Sequence, residues 1–268
     1  MHPKTNPELI TAPCARDIAA LINHIKVPSF MPVLEEVLSH HCNFDTILVV
    51  TYKKSFKPII LHPKSPAEHS PTLKNYIEKA YILDPLFNSI QDGLGSNVSR
   101  LVDIAPDSFD QTEYYQSCYR KFDLVDEVNM TITLSQHTTC AIALGRKSAL
   151  GTITRAELNR LKSIFPVIEA LVQQFWHVQS GEFVKYERSE GPIKQALKTF
   201  ASGVLTQREQ EILGLILQGH SSKAIADILS ISVGTVKVHR KNIHSRLNTS
   251  TQSEIFTLFL SHLNQLEA

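Results

Sequence analysis

From Leu205 to Phe259 apolar residues recur at helical spacing in four blocks, each opened by a small polar residue. The first block, Ile212, Leu213, Leu215, Ile216 and Leu217, follows Thr206 and Glu209. Their three-residue spacing predicts a capping box, with the hydroxyl on the third amide and the carboxylate on the cap amide. Leu205 can pack back on that first turn, and Gly219 marks the stop. Ser222 then caps a short helix, Lys223 to Leu229, with Ala224, Ile225, Ile228 and Leu229 inward. Ser230 and Ile231 form a turn. Ser232 caps a third helix from Val233, whose Val233, Val236, Ile243 and Leu247 face the core. Thr251 and Glu254 repeat the cap before Ile255, Leu258, Phe259 and Leu263. Two short helices across a tight turn, braced by a helix on either side, predict a tetrahelical helix-turn-helix unit.

Upstream the period changes. Arg16–Ile25 reads as a helix, and Ser29 can cap a second one through Leu38, with Pro32 in its first turn. Asp45–Thr51 is a run of strand-forming residues. Phe56–Leu61 predicts a second strand, placed at a sheet edge by Pro58. Pro71–Ala80 predicts a helix with Leu73, Tyr76 and Ile77 inward. Arg100–Ile104 carries no clear pattern, and Phe109–Phe122 reads as one helix holding Tyr114, Tyr115, Cys118 and Tyr119. Asp126–Leu134 and Thr138–Leu144 alternate as strands do, joined by Ser135–His137 into a hairpin. Thr154 and Glu157 make another capping box. Behind it Leu158, Leu161, Phe165, Ile168, Val172 and Phe175 keep three-four spacing, and Pro166 predicts a bend. This stripe fits either a sheet or a twin helix, so intradomain packing and dimerisation through 155–177 both stand. The expected class is α+β: a sensory domain with a mainly antiparallel four-stranded sheet over 1–180, a polar linker over 181–203 with a short helix Ile193–Phe200, and the all-α unit over 204–268.

Charge narrows the picture at one place. Overall the 27 basic and 26 acidic residues nearly cancel, for a formal net charge of +1. Val233–Leu247, however, carries four Lys or Arg and no acid. An α-helix fits the major groove, and in a helix-turn-helix the start of the second helix meets base edges. Thr235, Lys237 and Val238 are therefore expected at base edges, Val238 against a thymine methyl group. Arg240 and Lys241 are expected at base or phosphate, and Ser222 and Lys223 at phosphate. Cys14, Cys42, Cys118 and Cys140 are scattered, which predicts neither disulfide nor zinc site and fits a reducing cytoplasm. No run predicts a signal peptide or membrane span. His24, His40, His41 and His62 show no ligand spacing, so no cofactor, metal or catalysis is expected.

The pattern Leu205-Thr206-x-Arg208-Glu209-x-Glu211-x-Leu213, Gly219, Lys223-x-Ile225-Ala226, Ser232-x-x-Thr235-Val236-Lys237-x-His239, Ile243 and Leu247 resembles the LuxR-type helix-turn-helix of bacterial transcription regulators. Ser222 departs from it, standing where Asn is common. The resemblance implies structural roles for Glu209 and Glu211. It puts Thr235, Lys237 and His239 on the DNA-reading helix, and implies double-stranded DNA, a homodimer and a contact with RNA polymerase as partners. The N-terminal domain resembles the GAF- or PAS-like sensory domains, and Tyr81-x-x-Asp84-Pro85 resembles the Asp-Pro region of the acyl-homoserine-lactone receptors. That resemblance implies a small-molecule ligand whose amide falls to Asp84, in the motif with Tyr81; Tyr114, Tyr115 and Tyr119 could line a pocket or fill a core. From the residues alone, Asp84 equally reads as a helix cap and the tyrosines as core. The rival for the whole N-terminal domain is a ligand-free dimerisation or docking module.

Overall fold

In the computed structural model, which describes residues 12–53, 58–64, 70–183, 196 and 199–267, the alternating segments become five strands. These are β1 (Thr46–Lys53), β2 (Ile59–His62), β3 (Asn97–Arg100), β4 (Leu124–Ser135) and β5 (Thr138–Lys147). They form one sheet in the order β2-β1-β5-β4-β3, every neighbour antiparallel. β2 lies at the edge, where a strand preceded by Pro58 belongs. Register aligns Val49, Ile142, Met130 and Val98 in one row across β1, β5, β4 and β3. All four are buried. Because side chains alternate along a strand, this row and its neighbours two residues away define one face.

That face is packed by three helices: α1 (Ala12–His24), α2 (Phe30–His41) and α6 (Arg155–Phe183). Phe30 of α2 stacks on Phe175 of α6 with ring centroids 4.6 Å apart. Leu161, Ile164, Ile168 and Val172 bury against the sheet in the same cluster. The apolar stripe of α6 is thus spent on intradomain packing, and the helix is continuous across Pro166. The second face lies under α3 (Pro71–Glu78), a 3₁₀ turn Ala80–Leu83, α4 (Pro85–Gln91), the single turn α5 (Leu101–Ile104) and the stretch 105–123.

Four helices follow: α7 (Gln207–Leu217), α8 (Ser222–Ile228), α9 (Val233–Leu247) and α10 (Gln252–Glu267). Ile212, Ile216, Ile225, Val236, Ile243, Ile255 and Phe259 form their core. The Thr206–Glu209 capping box is present. Glu209 is buried and also pairs with Arg246 at 3.6 Å. The turn between α8 and α9 puts Ser230 in the left-handed region, φ 53°.

Several expectations need correction, and Ile228, Val233 and Leu258, expected to face inward, are exposed. β3 was not anticipated: four residues with Val98 alone buried give no period to read. Phe109–Phe122 is not one helix but a 3₁₀ turn (Phe109–Gln111), a π turn (Tyr115–Tyr119) and a second 3₁₀ turn (Arg120–Phe122). The rings of Tyr114, Tyr115 and Tyr119 gather around Phe109 at 5.2–6.3 Å, an arrangement that accompanies a widened turn. Ser29 makes no side-chain cap bond. The cap of α8 is Ser221, one residue earlier than expected; its hydroxyl accepts from the Ala224 amide at 3.2 Å. The expected helix Ile193–Phe200 and the start of the second strand fall largely outside the described residues.

Arg146, buried at the end of β5, fastens the sheet to α6. It donates to the Asn43 carbonyl at 2.7 Å, to the Thr152 carbonyl at 2.8 Å and to the Glu157 carboxylate. Arg146→Met would leave Glu157 buried beside unpaired carbonyls. The expected loss is about 3–5 kcal/mol, measured as a lower urea midpoint; a change under about 1 kcal/mol would mean the pair is solvated.

Candidate functional site

The second face of the sheet is not filled. It leaves a partly open cavity of about 450 Å³, within the range of small-molecule sites. Its polar side chains come from separate elements: Glu35 from α2, Thr46 and Tyr52 from β1, His62 from β2, Tyr76 from α3, Asp84 from the start of α4, Tyr114 and Tyr119 from the irregular stretch, and Glu127 from β4. The walls between them are apolar, among them Leu48, Leu73, Leu86 and Phe122. At Gly145 the wall is tight: an added Cβ would lie 2.5 Å from Thr46 Oγ1 and 2.8 Å from Leu124 Cδ2.

Asp84 is both cap and cavity wall. Its Oδ1 accepts the Leu86 amide at 2.8 Å, which caps α4 behind Pro85. Its Oδ2 accepts the Tyr76 hydroxyl at 2.7 Å. Since that hydroxyl donates to Asp84, the Tyr52 hydroxyl donates to it in turn, giving a chain of two tyrosines ending on one carboxylate. Burial pushes the Asp84 carboxyl up to about 6, against the pull of Tyr76 and the Leu86 amide.

Glu127 owes its place to the pleat. Asp126 points to the other side, where Arg100 donates at 2.7 Å and the Ile153 amide at 2.7 Å. Glu127, one residue on, lines the cavity and receives only the Asn129 amide at 2.9 Å. Burial first, then the Asp84 charge, pushes its carboxyl up to about 8. The buried hydroxyl of Tyr119, also on the cavity wall, has no hydrogen-bond partner among the described residues.

Of the ligand residues expected from sequence, the cavity gathers Asp84 and Tyr114. Tyr81 is fully buried in the core edge-on to Phe87 (5.3 Å), outside the cavity wall. Tyr115 is half-buried, stacked on Tyr119 at 5.6 Å, and also outside it. Both are corrections: the wall takes Tyr114 and Tyr119, five residues apart, and not Tyr115 beside Tyr114. Tyr52, Tyr76 and Glu127 were not expected at a site. A signal for Glu127 existed. Glu127, Asn129 and Thr131 share one phase of β4, opposite Val128, Met130 and Ile132, and all six are buried. A strand buried on both faces yet polar on one points to something other than packed core.

At the helix-turn-helix, Lys223, Thr235, Lys237, Val238 and Lys241 are exposed. Ser222, His239 and Arg240 are half-buried. Arg240 donates to Gln252 at 3.1 Å, and the enclosed His239 lies on the side of Glu209, so both are less open than expected. Ser222 and Arg240 border a recess of about 270 Å³ shared with Ser108, Gln111 and Thr112 of the N-terminal region. Two hydrogen bonds flank it: Ser221 to Asp107 at 2.6 Å and Ser253 to Glu113 at 2.8 Å. Gly219, at φ 90°, sits against Thr112, where a Cβ would meet a methyl at 2.9 Å.

Among the described residues no His, Cys, Asp and Glu cluster could hold a metal ion, and no helix is long and apolar enough to cross a membrane. Residues 203–259 match the family described as bacterial regulatory proteins, luxR family. The HTH-type transcriptional regulator of the exeN 3' region of Aeromonas salmonicida is 32% identical over 186 residues, 67% of this chain and 94% of its own. The monoamine regulon transcriptional regulator of Klebsiella aerogenes is 26% identical over 200 residues, 73% of this chain and 74% of its own. The N-terminal fold is similar to the crystal structure of the VqsR LBD domain from Pseudomonas aeruginosa, with a TM-score of 0.55 at 23% identity, covering 63% of this chain and 98% of that one.

The two raised carboxyls set a pH dependence. A carboxyl whose folded pKa lies above its unfolded value stabilises the fold fully below the unfolded value, 4.5 for Glu127, and loses that contribution as pH rises through the folded one. The ligand-free protein should therefore lose stability from about pH 4 to about pH 8, Asp84 contributing up to about pH 6 and Glu127 across the window, alone in its upper part. Glu127→Gln should remove most of the upper part, on the order of a few kcal/mol at pH 9. Thermal melts across pH compare the two; parallel curves would show that Glu127 is already ionised in solution.

Proposed function

This chain belongs to the luxR family of bacterial regulatory proteins, and on that premise we propose that it binds DNA sequence-specifically as a homodimer, in the cytoplasm, under the control of a small molecule held in the cavity. A sensory domain over 1–180, a linker over 181–203 and a DNA-binding domain over 204–268 belong to the same proposal. The observation that carries it is the double placement of one short stretch. Tyr114 and Tyr119 line the cavity, while Asp107, Thr112 and Glu113 of the same stretch touch Ser221, Gly219 and Ser253 of the helix-turn-helix unit. A molecule entering the cavity presses on tyrosines only a few residues from those contacts. A packed docking module would leave this face of the sheet filled; the cavity favours the sensor.

On DNA, Thr235, Lys237 and Val238 face base edges and Lys241 the nearby backbone. Lys223 faces phosphate together with Ser222, and Arg240 follows once it leaves Gln252. In the arrangement described, Ser222 and Arg240 border a recess shared with Ser108, Gln111 and Thr112. Control then amounts to a shift between this arrangement and one in which that border is open. A ligand shifts it only as far as it binds the two unequally.

Two predictions follow from these placements. Lys237→Ala should relax preference for specific over random duplex, whereas Lys223→Ala should weaken both about equally; equal effects from the two substitutions in binding titrations would contradict the assignment. Replacing Asp107 and Glu113 together by Ala should raise the DNA affinity of the ligand-free protein by about fivefold or more. Unchanged affinity would mean that the contacts do not hold the DNA-binding unit back.

A further inference from the structure

We propose that the cavity takes a small molecule bearing a protonated amine, its N–H groups shared between the carboxylates of Asp84 and Glu127. Its apolar body would lie against Leu48, Leu73 and Phe122. Resting on the cavity being the ligand site, the proposal adds the charge of what fills it. Three features support it. Three carboxyls line the same space: Glu35, already paired with His62, and two without a cationic partner among the described residues, Asp84 at a helix start and Glu127 on a central strand. Among the described residues of its wall there is no Lys or Arg; the one cationic candidate, His62, is paired with Glu35 at 2.7 Å. The Tyr119 hydroxyl, buried on this wall, has no partner of its own.

The electrostatics run in the same direction. The two buried carboxyls oppose each other's ionisation, and the Asp84 charge is among the forces that keep a proton on Glu127. A cation between them turns that repulsion into two charge-assisted hydrogen bonds and lets Glu127 ionise. Tyr52, Tyr76, Tyr114 and Tyr119 line the same space, and aromatic rings attract cations. Asp84 already receives Tyr76 and the Leu86 amide, so Glu127, holding only Asn129, is the carboxylate with the most acceptor capacity to give. Tyr119 remains free to donate to a second polar group on the molecule.

The test compares amines with neutral counterparts of the same shape. Full-length protein is titrated calorimetrically with phenethylamine and octylamine, and with phenethyl alcohol and octanol. Glu127→Gln is the informative variant because it keeps an acceptor for Asn129 and leaves the Asp84 cap intact. Each amine should bind about tenfold or more tightly than its alcohol, and Glu127→Gln should remove most of that preference. Alcohols binding as well as amines would overturn the charge assignment while leaving the cavity a ligand site. An amine preference that survives Glu127→Gln would overturn it too, by placing the amine elsewhere. If neither class binds, the amine assignment falls. If, in addition, filling the cavity with Ala143→Phe leaves DNA binding and its regulation unchanged, the ligand-site reading falls with it.

Discussion

The alternation of side chains across a fully covered sheet governs the N-terminal half of this protein. Each central strand must satisfy two environments at once, because consecutive residues point to opposite faces. On one face β1, β3, β4 and β5 contribute Val49, Val98, Met130 and Ile142, and α1, α2 and α6 close over them as solid core. On the other, β1, β4 and β5 contribute Leu48, Tyr52, Glu127, Ala143 and Gly145 to the cavity wall. Small and polar side chains cannot fill the space beneath α3, α4 and the stretch 105–123, and a cavity is left. The hollow face is affordable because the packed face supplies the apolar burial.

Much of this could be read from the sequence wherever the repeat was long. The four C-terminal helices, the Thr206–Glu209 box, the Ser232 cap and the β4–β5 hairpin each extend over enough residues for a period to show. What could not be read was short or set by tertiary contact. β3 pairs through four residues, and its place at the sheet edge is fixed by β4 rather than by its own pattern. The 109–122 stretch carries a helical signal, but its aromatic rings pack around Phe109 and a π turn results. The site was legible only in part. Asp84 was visible as cap and as ligand candidate, and it serves as both the cap of α4 and part of the cavity wall. Glu127 was hidden because an acid inside a strand ordinarily marks a solvent face, and here both faces are covered.

The stretch 105–119 joins two bodies of different character. Its tyrosines belong to the hollow side of a sheet, and its polar residues belong to the rim of a helical unit. Being built from 3₁₀ and π turns, it lacks the regular hydrogen-bond ladder that would stiffen an α-helix of this length. A segment with a complete ladder would resist small displacements; an irregular one can pass them on, and Gly219, with no side chain to spare against Thr112, leaves little slack to absorb them.

Asp84 brings a consequence for how proteins built this way can diversify. Its carboxylate closes the first turn of α4 and terminates the tyrosine chain before any guest arrives, so its replacement would disturb the scaffold as well as the guest's seat. Glu127 carries no such duty: its partner is one side-chain amide, and its strand neighbours hold the sheet without it. Under the proposed ligand role, descendants of such a protein can change what they sense at Glu127 and Tyr119 while retaining Asp84, inheriting the frame and rewriting only its vocabulary.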